Sequence, residues 1–517
     1  MKLVTVPQMI AIEKEANENG LSYARMMQNA GYGLAGVVSE IISDNDWDSV
    51  FGLVGPGNNG GDTLIALRHL AEEGWHTQAY VFKRRQDDEL VAQLLEAGGH
   101  VSFAEAEADF DEAALEAALS SADVLLDGLL GTGFKLPLRG DAAAVLEQVL
   151  LVMEIMDEAP FVVAVDCPSG VDCDTGEAAL ECLPADLTVC MAAVKQGLLK
   201  LPAFELVGEL TVVDIGLPFE LDSFYRLKSE VADHDLVAGL LPDRPLDSHK
   251  GTFGTALIAA GSQSYTGAAL LAGTAAYRVG AGLVTLAIPE PLHPALAGQL
   301  PEATWVLLPH EAGFISERAS EVLLNHIQRP TAFLLGPGLG AHPSTAKFVE
   351  KGIASVTLPT VVDADGLRHL AQIPDWYKKI PASTVLTPHI GEMSALTGLS
   401  REEILQSKNE VALKYAKEWG CVIVLKGAFT VIAAPGGEMT VIPVASPALA
   451  RAGTGDVLAG LIVGLLAQGL EAYDAAIAGA FIHAQAGLVA AEDFGSTASV
   501  LAGDLLNSIP DIMSELE

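Results

Sequence analysis

Gly55-Pro56-Gly57-Asn58-Asn59-Gly60-Gly61-Asp62 follows an apolar, β-rich run at residues 50–54 and precedes a helical stretch at residues 64–71. A strand feeding a glycine-rich turn and then a helix is the unit from which parallel, helix-covered sheets are built. Gly55, Gly57 and Gly60 also satisfy G-x-G-x-x-G, the spacing of a dinucleotide-binding turn. Such a turn needs an acidic residue about 20 positions on, to hold the ribose hydroxyls. Here the next strand ends in Lys83-Arg84-Arg85, which leaves only the variant that grips a ribose phosphate. Asn59 and Asp62 point elsewhere. They place side-chain oxygens where a pyrophosphate turn uses bare backbone, and that suits a hard cation or a ribose. A structural turn in which Asp62 merely caps the helix remains open.

Outward from this turn, further strand candidates at residues 79–82, 124–126, 161–165 and 210–213 alternate with helical stretches, as in a parallel sheet covered on both faces. Two of these runs end in carboxylates. Residues 125–135 (LLDGLLGTGFK) put Asp127 at a strand end, with a glycine-rich loop and Lys135 beyond it. Residues 163–172 (VAVDCPSGVD) do the same with Asp166 and Ser169. Ligands of open parallel sheets bind outside the carboxyl ends of the strands, so Asn59, Asp127, Asp166 and Ser169 are expected to converge in one crevice.

The alternation breaks between residues 216 and 245, a polar segment with Pro218, Pro242 and Pro245. A domain boundary is expected there near residue 225, giving domains 1–225 and 226–517. Beyond it, strand candidates fall at residues 255–259, 283–287, 332–335, 360–362, 384–386, 422–425, 431–434 and 439–442. Small-residue helical runs at 456–468 and 473–491 close the chain. The second domain reads as another, larger α/β sandwich with different motifs.

Composition bounds the function classes. With 517 residues, half of them apolar, the chain is long enough for two or three globular cores. Its net charge of -38 argues against nucleic-acid or acidic-membrane partners, which need a basic surface. Five cysteines (Cys167, Cys173, Cys182, Cys190 and Cys421) form no C-x-x-C pair, which predicts neither a disulfide framework nor a structural zinc site and fits a reducing, cytoplasmic setting. The first 20 residues lack the charged-then-apolar pattern of a signal peptide. The longest apolar stretches are short or interrupted by His483 and Gln485, and neither reads as a membrane span.

On residues 55–62, 125–135 and 163–172, and on Gln8-Met9, Glu13 and Asn29-Ala30-Gly31, the first domain resembles NAD(P)HX epimerases, which interconvert the R and S forms of NAD(P)H hydrated at C6 of the nicotinamide. The resemblance implies a Rossmann-like three-layer domain and a potassium ion held by Asn59, Asp127 and Ser169. It implies substrate contacts in two loops, one of Asn58, Asn59, Gly60, Gly61 and Asp62, the other of Gly131, Thr132, Gly133, Phe134, Lys135, Leu136 and Pro137, together with Asp166. Asp166 is the expected acid/base, and Lys135 the cation that neutralises nearby anionic charge. The chain departs from the family's usual residues at Gln28, Thr63 and Cys167.

In the second domain, residues 450–460 (ARAGTGDVLAG) bring Gly453, Thr454 and Gly455 to a helix start, where N–H groups and the helix dipole form an anion hole. Asp456 follows, placed to take a proton from a hydroxyl attacking a phosphoryl group. An Asp that only interacts with the dipole is the alternative. No Walker motif occurs. Gly-Thr-Gly-Asp resembles the ribokinase-like superfamily. Residues 250–254 (KGTFG), 265–268 (YTGA), 278–283 (RVGAGL), 336–340 (GPGLG), 363–365 (DAD) and 387–392 (TPHIGE) narrow the resemblance to ADP/ATP-dependent NAD(P)HX dehydratases, with Ala260 a small departure.

That resemblance implies hydrate contacts at Ala268, Gly338, His389 and Asp456. It implies nucleotide contacts at Lys426, Gly427, Ala428, Phe429, Thr430, Gly453, Thr454 and Gly455, with Mg²⁺ bridging the ADP or ATP phosphates. Glu392 is a candidate to help hold that metal, while Asp363 and Asp365 divide between site and turn. The expected partners are these small molecules alone, with a homo-oligomer as the assembly. The competing reading is a ribokinase-like small-molecule kinase fused to a nucleotide-binding domain; the two differ over whether phosphate stays on the substrate.

Overall fold

The structure, a computed structural model, describes residues 1–83, 88–103 and 112–517, so the Arg84-Arg85 pair lies outside the described residues. The chain divides into two compact units, Met1–Leu227 and Lys228–Glu517. The segment between 216 and 245 is shared between them. Leu217 and Leu221 bury in the first unit. The short strand Ser229–Val231, which the polar sequence hides, opens the second by pairing in parallel with Met439–Val441.

Seven strands of the first unit form one parallel sheet, in the order His100–Phe103, His76–Val81, Ser49–Val54, Val124–Gly128, Phe161–Val165, Leu187–Met191, Glu209–Val213. The order reverses between Ser49–Val54 and Val124–Gly128, and such a reversal opens a crevice at the carboxyl ends. The central strands are buried on both faces, which is why they read as continuous apolar runs. The glycine-rich turn differs from expectation: Asn58–Glu73 is already helix, so Asn58 to Asp62 form its first turns rather than a loop. Two helices, Val6–Glu18 and Tyr23–Asn45, cover the sheet ahead of the first strand. Gly31 of the second lets Ile65 approach so closely that a Cβ would lie within 2.9 Å of the Asp62 carbonyl oxygen, which presses the Asn58–Glu73 helix onto its neighbour.

The second unit holds a mixed sheet. Thr304–Leu308, Leu283–Pro289, Thr255–Ala259, Ala332–Leu335, Thr360–Val362, Thr384–Leu386 and Val422–Leu425 run parallel in that order. Val431–Ala433 and Met439–Val441 then continue antiparallel. The order reverses between Thr255–Ala259 and Ala332–Leu335, and the Gly261 N–H donates to the Pro337 carbonyl across that opening (2.8 Å). The helix Thr454–Ala467 packs on Ala268–Arg278 through Gly460 and Gly464, where a Cβ would strike Ala275 and Ala276 at 2.8 and 2.9 Å. Small residues therefore set the spacing of the two helices that enter the site. Among the described residues one helix, Ala472–Phe494, has the length and apolarity to cross a membrane, but 72% of that window is buried inside the unit, as a core helix requires.

Candidate active sites

In the first unit, strand, helix and loop ends meet at the predicted crevice. Asp127 is fully buried and accepts from the Ser169 N–H (2.7 Å) and hydroxyl (2.6 Å). The Leu130 N–H in turn donates to the Ser169 hydroxyl (2.8 Å). Burial raises the Asp127 pKa, and the Ser169 bonds only partly oppose it. The Asn59 amide donates to the Val165 and Leu130 carbonyls, and Gly131 leaves no room for a Cβ beside it. Asn59, Asp127 and Ser169 thus form one cluster of oxygen-bearing groups, with two carbonyls beside them. Thr63 fills the gap left by Gly128, its hydroxyl donating to the Asn59 carbonyl (2.7 Å).

A cavity of about 550 Å³ lies against this cluster, lined by Glu13, Asn58, Asn59, Gly60, Asp62, Gly131, Thr132, Gly133, Phe134, Asp166, Met191 and Lys195. Asp166 sits at a left-handed φ of 67°, a conformation that Asp tolerates better than most L-residues. The Met191 N–H (2.9 Å) and the Lys195 ammonium both donate to its Oδ1, which leaves Oδ2 free among the described residues. Lys195 also donates to the Met191 carbonyl (3.2 Å). Burial works against its charge, but Asp166 prevails and holds the Lys195 pKa above its ordinary value. The expected neutralising cation is elsewhere: Lys135, Leu136 and Pro137 line an adjoining cavity of about 420 Å³ with Arg139, and only Leu130 and Phe134 border both. The cation at Asp166 is therefore Lys195, not Lys135.

In the second unit, Asp456 stands in the first turn of Thr454–Ala467, and the Gly455 and Asp456 N–H groups have no acceptor among the described residues. Lys426 donates to Asp363 (2.8 Å), and Thr387 donates to the same oxygen (2.7 Å). A Cβ on Gly455 would lie 3.4 Å from the Lys426 ammonium, so these groups share one corner. Burial, then the Asp363 charge, pushes Asp456 up to about 7. Gly338 and Ala268 meet directly, since a Cβ on Gly338 would lie 2.8 Å from the Ala268 methyl.

The doubtful carboxylates separate cleanly. Asp363 belongs to the Lys426 corner. Asp365 accepts from the Gly340 N–H (2.8 Å) and holds a turn. Glu392 closes a capping box on His389, one of its oxygens accepting the His389 N–H at 3.0 Å. His389 caps the same helix through Nδ1, taking the Gly391 and Glu392 N–H groups. Its ring stays half exposed, and burial lowers its pKa against the pull of Glu392.

Comparison with known proteins agrees with both halves. Residues 23–197 match the family described as YjeF-related protein N-terminus, and residues 256–511 match NAD(P)H-hydrate dehydratase. The bifunctional NAD(P)H-hydrate repair enzyme of Moorella thermoacetica is 36% identical over 100% of this chain and 97% of that protein. That of Thermofilum pendens shows the same identity and coverage. The chain belongs to the bifunctional NAD(P)H-hydrate repair family. Among solved structures, the ADP/ATP-dependent NAD(P)H-hydrate dehydratase of Bacillus subtilis, co-crystallised with ATP/Mg²⁺, is 33% identical and covers 56% of this chain and 99% of its own, with a TM-score of 0.49.

Within this repair-family chain, the sequence reading assigns no role to the buried Lys195 and His483 or to the partly buried Lys408. Lys195 lies 29 residues beyond Asp166, and only the parallel pairing of Phe161–Val165 with Leu187–Met191 brings them together. His483 is buried and donates to the Thr454 carbonyl (2.9 Å), tying the start of the Asp456 helix to the core helix; burial lowers it to about 4, so it is neutral at physiological pH. Lys408 donates to the Ala428 and Phe429 carbonyls (2.8 Å each) and so orients the peptide planes of the expected nucleotide segment, with burial lowering it to about 7. Lys195, Lys408 and His483 are scattered over nearly 300 residues and share no local motif, so nothing in the sequence groups them.

Proposed function

We propose that the Met1–Leu227 unit epimerises hydrated NADH and NADPH at Asp166, and that the Lys228–Glu517 unit phosphorylates and dehydrates the S epimer at Asp456. What carries this reading is that each unit sets one positioned carboxylate at the carboxyl end of its sheet, beside backbone amides open to an anion.

In the first unit, the ionic anchor from Lys195 leaves Asp166 Oδ2 to face the C6 hydroxyl, while the Asn58, Asn59 and Gly60 N–H groups at the helix start suit the substrate diphosphate. Asn59, Asp127 and Ser169 fit potassium: the cluster is rich in oxygen, and no cationic side chain pairs with buried Asp127 among the described residues. The Leu130 and Val165 carbonyls would join them once the Asn59 amide turns over. Bound potassium supplies a fixed positive charge that ties these loops together.

In the second unit, Asp456 accepts the proton of the C6 hydroxyl as the hydroxyl oxygen attacks the terminal phosphoryl group of ADP or ATP, and the bond from that phosphorus to the bridging oxygen breaks with its electron pair leaving on AMP or ADP. The Gly455 and Asp456 amides face the charge that develops, and Lys426 is held nearby by Asp363. Phosphate then leaves with the C6–O electron pair, the ring loses a C5 proton, and the nicotinamide double bond returns. Five buried, free cysteines suit the cytoplasm.

The test is the full chain with a mixture of R and S hydrated NADH, Mg²⁺, potassium, and ADP or ATP. Full recovery of NADH absorbance is expected. Asp456→Ala should abolish dehydration and spare epimerisation, and Asp166→Ala should do the reverse. No recovery with either nucleotide, or a stable phosphorylated product, would refute the assignment in favour of a simple kinase.

A further inference from the structure

The cavity that holds Asp166 is also lined by Glu13, whose carboxyl has no partner among the described residues. Glu13 lies in Val6–Glu18, a helix anchored by the Thr5–Gln8 capping box and by burial of Met9, Ile12 and Ala16. From that helix Glu13 lines the cavity together with Val6, Met9 and Ile10. Among the described residues its carboxyl makes no hydrogen bond and no ion pair, although it is only partly exposed. The charged groups on the same cavity wall are Asp62, Asp166 and Lys195, and Lys195 is already committed to Asp166 and Met191.

A half-buried carboxyl without a partner costs stability, and such a group in a ligand cavity is a candidate for chemistry. Burial, then the Asp166 charge, raises the Glu13 pKa, with Lys195 opposing. Glu13 therefore keeps its proton at higher pH than an ordinary glutamate. Asp166, by contrast, is tied to a buried ammonium. The two carboxyls thus differ in their surroundings: Glu13 faces the cavity with no cation or donor on it among the described residues, whereas Asp166 is held by Lys195 and the Met191 N–H through Oδ1 and keeps Oδ2 open.

Accepting that this cavity epimerises hydrated NAD(P)H, we propose that Glu13 is its second catalytic residue, the acid that protonates the departing C6 hydroxyl while Asp166 serves the other face. The Glu13 carboxyl gives its proton to the hydroxyl, and the C6–O bond breaks with its electron pair leaving as water. The N1 lone pair forms N1=C6, whose positive charge lies against the Asp166 carboxylate. A water then adds to C6 from the opposite face, the N1=C6 pair returns to N1, and Asp166 Oδ2 takes the proton. One proton has moved from Glu13 to Asp166. The reverse epimerisation, or exchange with solvent, restores the starting state. No oxidant or reductant is involved.

The test follows R-to-S conversion of hydrated NADH by the full chain in water enriched in heavy oxygen, over the uncatalysed background. Each conversion should bring one solvent oxygen to C6. Glu13→Gln should lower the epimerisation rate by roughly 10²-fold, and Glu13→Asp should recover part of it. ADP-dependent dehydration of the S form should be unchanged in both. The wild-type rate should fall on the alkaline side as Glu13 loses its proton, and Glu13→Gln should lack that fall. A Glu13→Gln rate close to wild type, or a product that keeps its original oxygen, would overturn the proposal. A wild-type chain that shows no epimerisation would instead overturn the reading of the cavity on which it rests.

Discussion

Replacing Asp456 by Asn should stop dehydration and, at the same time, stabilise the Lys228–Glu517 unit above neutral pH. Burial and the neighbouring Asp363 charge carry this carboxyl from 3.8 to about 7. A raised acid binds its proton more tightly in the folded than in the unfolded chain, so its contribution to stability falls as pH climbs from 3.8 to about 7 and stays low beyond. At 1.36 kcal/mol per tenfold change in proton affinity, the penalty reaches about 4 kcal/mol at most, and partial solvent access around the side chain brings it toward ~2 kcal/mol. Asn has no charge to bury, so the variant escapes this penalty. Denaturant titration at about pH 4 and about pH 8, reading the Trp376–Trp419 ring pair (centroids 4.8 Å apart) as reporter, should show the variant more stable only at the higher pH. In the parent chain the dehydration rate should rise through about pH 7, as Asp456 ionises and becomes a base. A variant no more stable than the parent at the higher pH, or equally favoured at both, would refute the argument that this carboxylate is held under strain by its surroundings.

Lys195→Met leaves Asp166 buried without its cation, so the Met1–Leu227 unit should lose about 3–5 kcal/mol in denaturant titration. Epimerisation should fall by roughly 10²–10⁴ while dehydration persists. Gly131→Ala puts a Cβ within 2.8 Å of the Asn59 Cγ, closer than real contacts allow, so Asn59 must move; potassium activation of the epimerase should disappear in a salt titration. Lys408→Met removes two hydrogen bonds to the Ala428 and Phe429 carbonyls. At about 1 kcal/mol net each, this should raise the nucleotide KM by roughly tenfold or more, with kcat little changed and Lys408→Arg giving partial rescue.

How far the sequence could be read depended on the range of the interaction. Strands such as Thr255–Ala259 and Phe161–Val165 are buried on both faces, so their apolar runs stand out without any partner being known. Ser229–Val231, by contrast, is short and carries Glu230, so it has no distinct local pattern. Asn59, Asp127, Asp166, Ser169 and Asp456 were legible because strand ends and helix starts are places that sequence can locate. Lys195 was not, because its partner is set by sheet order. The position of Lys135 was misread for a related reason: it follows Asp127 closely along the chain, but the loop turns it into a neighbouring cavity. The capping role of Glu392 depends on where the helix Ile390–Thr397 begins, which its sequence alone does not mark.

On the proposed assignment, the surroundings of the two carboxylates differ in the way two reactions at one ring position require. Asp166 has a dedicated cation: Lys195 is buried with it and serves no other carboxylate among the described residues. Asp456 lies near Lys426, but Lys426 is bonded to Asp363, so its charge is largely spent before it reaches Asp456. The first arrangement anchors one carboxylate oxygen on a buried ammonium and leaves the other open to the cavity. The second leaves a carboxyl poised near neutrality, able to accept a proton from an attacking hydroxyl and then to release it. Exchanging the two environments should therefore cost each reaction more than exchanging the surrounding loops. In Asp363→Asn, Lys426 is freed to pair with Asp456, and the proton affinity of Asp456 should fall. The acid limb of the dehydration profile should then shift to lower pH, and a profile unmoved by that change would show that burial alone sets the base.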